Sequence, residues 1–99
     1  MKIDFSTVLK DLSGNPIKAD EKTDATLGKA CIDALMAQIQ GDTPDGSEKL
    51  SRYVLASKIV NGGEVEVTAE EAAKMKELTG KVWPAMVVGQ VWPMLDGQT

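Results

Sequence analysis

Few side chains in this sequence could do chemistry. The one thiol is Cys31, and no histidine occurs in the 99 residues. Histidine is the usual base that activates a thiol at neutral pH, and it is the commonest metal ligand. Cys31 also falls on the apolar side of a helical pattern, where a buried, inert thiol is the expected reading. The carboxylates form two groups. Asp42, Asp45 and Glu48 lie in or beside a turn-rich loop, without the alternating oxygen ligands and sixth-position glycine of a calcium loop. Glu64, Glu66, Glu70 and Glu71 form the other. Paired carboxylates can serve acid/base catalysis, but a helix cap accounts for Glu71 and a solvated face for the rest. Gly62-Gly63 lacks the lysine-bearing frame of a phosphate loop. The residues predict no catalytic, cofactor-binding or metal-binding site.

The chemistry that remains is that of contact. Val82 to Leu95, VWPAMVVGQVWPML, holds both tryptophans, two of the four prolines and two of the five methionines, and carries no charge. Tryptophan and methionine are favoured at protein interfaces. A small chain has little room to bury Trp83, Met86, Trp92 and Met94 beside its other apolar faces. The stretch is therefore expected to form the central helix, with part of its surface covered by a subunit or another protein. Trp92 and Met94, near its end, are the sharpest candidates. Arg52, the sole arginine, and Tyr53 are a second candidate partner-binding pair. The competing reading of Arg52 is a stem laid over the edge of the core.

Composition narrows the class further. Hydrophobic residues make up 42% and charged residues 26%, the proportions of an ordinary globular domain. The length fits one domain over 1–99. A net charge of −4, with both halves acidic, disfavours nucleic acid as a partner. A single cysteine rules out an intrachain disulfide framework. The opening residues show no basic-then-apolar leader, and 82–95 is too short and too interrupted by proline to span a bilayer. A cytoplasmic protein without a membrane partner is expected.

The elements follow from periodicity and punctuation. Ile3, Phe5 and Thr7 alternate with polar neighbours, and Ser13-Gly14-Asn15-Pro16 supplies a turn, so Met1 to Lys18 reads as a short β-hairpin. A first helix is expected from near Thr26 to Gly41, burying Leu27, Cys31, Ala34, Leu35 and Ile39. A second, capped by Ser47, carries Leu50, Tyr53, Val54, Leu55, Ala56, Ile59 and Val60. A stripe that broad implies contacts on more than one side. Glu64 to Val67 alternates and predicts a short third strand able to pair with Ile3–Phe5. Thr68 with Glu71 forms a capping box for a third helix, with Ala72, Met75 and Leu78 inward. Thr79-Gly80 predicts its break. Pro84 opens a fourth helix reaching about Trp92, limited by Pro93. The fold class is α+β and mostly helical.

Several of these stretches also resemble a family. MKIDF with DLSGNPI, then EKLSRYVLASKI, then TAEE followed by LTGKVWPAMVVGQ, are similar to small proteins encoded in tailed-phage and prophage genomes. The resemblance covers most of the chain and carries over no functional residue. It implies a phage protein acting inside the host cell. Some small acidic phage proteins of this size serve as tail-assembly chaperones or other accessory factors in virion morphogenesis. The implied function is therefore a non-enzymatic, self-associating accessory protein of virion assembly, which binds a phage structural protein. The alternative is a phage-encoded regulatory module that binds and diverts a host protein.

Overall fold

A computed structural model describes residues 1–97. The chain is a mostly helical α+β protein, and the described residues form four helices and one two-stranded antiparallel sheet. The elements are β1 (Lys2–Asp4), α1 (Leu27–Met36), α2 (Gly46–Ile59), β2 (Glu64–Glu66), α3 (Ala69–Val82) and α4 (Ala85–Leu95). β1 pairs with β2, placing Ile3 opposite Val65 and Lys2 opposite Glu66. The expected third strand is thus the ladder partner of the first.

The expected hairpin over Met1 to Lys18 forms no ladder of its own. Its turn is real: the Ile17 N–H donates to Leu9 O at 2.9 Å and the Asp11 N–H to Asn15 O at 2.8 Å. Pro16, bridged to Lys10, has no N–H to give, so the pairing stops at isolated bridges. This segment instead caps α1. The N–H groups of Leu27 and Gly28, two of the orphan donors of the first turn, donate to Thr7 O and Phe5 O at 2.9 Å each. The approach is close because Gly28 has no side chain. A Cβ there would sit 3.0 Å from Phe5 O and 3.3 Å from Phe5 Cβ. Gly28→Ala is therefore expected to cost about 1–2 kcal/mol, the clash with fixed backbone outweighing alanine's helix preference. Urea unfolding checks this.

The core is organised around α1 rather than around 82–95. Leu27, Ala30, Cys31, Ala34 and Leu35 are all buried, and α1 packs against both α2 and α3. The stretch 82–95 is peripheral. Of α4, Val91 and Leu95 are fully buried, and the helix packs on α3. Its uniform apolarity suggested a surrounded helix, but it is covered on one side only.

Four boundaries differ from expectation. Helix α1 stops at Met36, where Ala37 turns extended, and Gly41 serves the following loop in the left-handed region with φ +83°. Helix α2 is capped by Asp45, whose carboxylate accepts from the Glu48 N–H at 2.8 Å, and not by Ser47. The break expected at Thr79-Gly80 does not occur. The buried Thr79 hydroxyl donates to Met75 O at 2.7 Å, which satisfies it inside a continuous helix. Helix α3 ends at Val82 because Pro84 forces the preceding Trp83 into an extended conformation, φ −105° and ψ 150°. The Thr68–Glu71 capping box is present as expected. Helix α4 runs on through Pro93 to Leu95; Pro93 cannot donate to the carbonyl of Gly89, one turn back, and Gly89 is exposed, so water can serve that carbonyl.

Candidate protein-docking surface

Helix α2 has two apolar faces that do different things. At roughly 100° per residue, positions nine apart lie on opposite sides of a helix. Leu50 and Ile59 are such a pair. Ile59, Leu55, Ala56 and Arg52 face inward and are buried. Leu50, Tyr53, Val54 and Val60 face outward and are 63%, 63%, 56% and 60% exposed. Gly46 and Ser57 fill out the same outer face. No charged residue lies on it. Beside it, an open cleft of about 920 Å³ runs between α2 and the segment after α1, lined by Met36, Ile39, Pro44, Lys49 and Tyr53 among others. Met36 is itself exposed at the rim.

The cleft's inner wall is held by charge. The Arg52 guanidinium donates through Nη1 to Asp42 Oδ2 and through Nε to Glu48 Oε2, both at 2.8 Å. Lys74 adds a bond to Glu48 Oε1 at 3.0 Å and one to Ser51 at 2.7 Å. This network ties the loop after α1 and the start of α3 to α2. Arg52, proposed as a partner anchor, is thereby enclosed at the core edge with its guanidinium already paired. Tyr53, its neighbour in sequence, points the other way and lies open.

The same network fixes a pH dependence. Hydrogen bonding from Arg52 holds Asp42 below its ordinary pKa of 3.8. Hydrogen bonds from Arg52 and Lys74 hold Glu48 below 4.5. A carboxylate with a depressed pKa stabilises the fold above its unfolded value, and that contribution is lost as pH falls through the folded one. The melting-temperature gap between the parent and Arg52→Gln is therefore expected to be widest near neutrality, and to narrow as pH falls below about 4.

The tryptophan candidates are placed differently from one another. Trp83 is half-buried against the core, and its Nε1–H donates to Ala30 O at 2.9 Å. It pins the α3–α4 corner to α1. Trp92 is 40% exposed, but its ring lies on α3. A Cβ on Gly80 would come within 3.0 Å of Trp92 Cζ2, and Lys76 Nζ stands 5.2 Å from the ring centroid. Gly80, read as a helix stop, is instead the seat of this ring. Met94 is half-buried against the core, while Met86 is exposed. The six candidates thus do not converge on one surface. Tyr53 lies on the α2 face, Met86 and part of Trp92 on α4, and Trp83, Met94 and Arg52 serve the fold.

Leu50, Val54 and Val60 were missed as surface residues. The signal was the breadth of the α2 stripe, which separates into two stripes when spacing is counted from Arg52 and from Leu50. Cys31 is fully buried, and burial pushes its thiol up to about 12. That leaves it without nucleophilic character at neutral pH. Among the described residues, no cluster of three or more metal-ligating side chains occurs, and no helix is long and apolar enough to cross a membrane. Against protein-family models, curated proteins and solved structures, the chain matches none.

Proposed function

We propose that this is a non-enzymatic protein that works by protein–protein contact, with the outer face of α2 as its docking surface. The observation that carries this reading is the row Leu50, Tyr53, Val54 and Val60, each more than half exposed, on a face without charge. Leaving large apolar side chains adjacent in water forgoes roughly 25 cal/mol per Å² that burial would return. Contiguous patches of this kind mark interaction sites. A tyrosine in the centre, beside a cleft, is the type of residue that anchors such contacts.

The setting is taken from the resemblance to small tailed-phage proteins: an accessory factor of virion assembly, acting inside the host cell. The test is genetic. In the genome that encodes the chain, Leu50→Glu with Val54→Glu is expected to leave protein level unchanged and to lower infectious-particle yield roughly tenfold or more. Normal yield from that variant, at normal protein level, would overturn the reading.

A further inference from the structure

We infer that the occupant of the α2 face is the same face of a second copy of this chain, packed antiparallel about a two-fold axis beside Tyr53 and Val54. This rests on the reading of that face as a docking surface.

Charge carries the argument. The chain has 15 carboxylate side chains against 11 basic ones and a net charge of −4. Two copies therefore repel, least of all where carboxylates are missing. The α2 face is such a region: Gly46, Leu50, Tyr53, Val54, Ser57 and Val60 carry no charge. A strongly acidic or basic partner would find nothing on it to pair with, and would lose hydration there. A neutral apolar face is what it matches.

The flanks then select the orientation. Lys49 and Lys58 are nine residues apart, so they border the face on opposite sides and near opposite ends. Across a two-fold between antiparallel helices, like flanks meet. Lys49, which holds no ion pair among the described residues, comes beside the C-terminal end of the second α2. There the helix dipole presents partial negative charge. Lys58 comes beside the N-terminal end of the second α2, with its charge already paired with Glu71 of its own chain at 2.9 Å. Leu50 lies across from Ser57 of the second copy, Tyr53 from the second Tyr53, and Val54 from the second Val54. A parallel pair would instead align both dipoles and gather the Asp45 and Glu48 carboxylates of two copies at one end. The small residues Gly46 and Ser57 let the helices approach closely. Helix α2 has 14 residues, a length of about 21 Å. That limits the contact to the small end of stable interfaces, so the dimer is weak and concentration-dependent.

The test uses two full-length single variants, Leu50→Cys and Ser57→Cys, mixed in equal amounts and treated with a short bismaleimide. The buried Cys31 does not compete for the reagent. The mixed cross-link, identified by intact mass, is expected to exceed either self-link several-fold. Adding Val54→Glu to both chains is expected to abolish it. Self-links equal to or above the mixed product, or no cross-link at millimolar protein, would overturn the inference. If the inference fails while Leu50→Glu with Val54→Glu still lowers particle yield, the docking face stands and its occupant is a different protein. If both fail, the face is not a docking surface.

Discussion

A Leu50→Glu, Val54→Glu chain is expected to melt within a few degrees of its parent and to lose self-association by at least roughly 100-fold. The stability half follows from exposure. Both positions lie on the outer face of α2, at 63% and 56% exposed, and substitutions of that kind usually fall within about 0.5 kcal/mol. Two glutamates four apart repel slightly, but Glu at 54 stands four residues before Lys58, a favourable spacing. Neither position touches the Arg52 network or the Asp45 cap. The association half follows from desolvation. In a pair of α2 helices the two carboxylates of each chain would be carried into an apolar contact and lose their hydration, at a cost of several kcal/mol for each ion. Size-exclusion chromatography with light scattering at rising concentration, beside thermal melts, separates the two halves. A large drop in melting temperature with association unchanged would mean the outer face serves the fold.

Trp83→Ala is expected to have the opposite signature: about 3 kcal/mol of stability lost, with no specific effect on association. The side chain packs against the core at the corner where α3 turns into α4. Its indole N–H reaches Ala30 O in α1 at 2.9 Å. Truncation removes both the packing that closes the corner and the indole hydrogen bond from that corner to α1. Trp83→Phe keeps most of the packing and is expected to lose only about 1 kcal/mol, the worth of one hydrogen bond. Equilibrium urea unfolding of the two variants measures the difference. If Trp83→Ala unfolds like the parent but fails to associate, Trp83 belongs to an interface and the corner is held by other contacts.

Much of the fold was legible because local chemistry decides it. The Thr68–Glu71 capping box, the helix start at Thr26 and the inward Ala72, Met75 and Leu78 each depend on residues within one or two turns. The pairing of Ile3 with Val65 was legible from two short alternating segments, each with one face to bury. What failed depended on three-dimensional neighbours. Apolarity marks what ought to be covered, not what is covered. So 82–95, the most apolar stretch, read as the centre, while the actual centre is α1, with its small Ala30, Ala34 and Gly28 admitting close neighbours. Gly80 read as a stop, although its missing side chain makes room for the Trp92 ring 12 positions later. The exposed face of α2 was hidden for a related reason. Leu50, Tyr53, Val54, Leu55, Ala56, Ile59 and Val60 form one broad stripe in composition, and only the position of α1 and α3 divides it into an inside and an outside.

The placement of the docking face on α2, rather than on the tryptophan-bearing α4, can be read residue by residue. In a dilution series followed by NMR on selectively labelled protein, the Leu50 and Val54 methyl signals and the Tyr53 ring signals are expected to shift together with concentration. The Met86 methyl and the Trp92 indole N–H should stay fixed. Concentration-dependent shifts at Met86 and Trp92, with Leu50, Tyr53 and Val54 unmoved, would contradict the account and place the contact on α4.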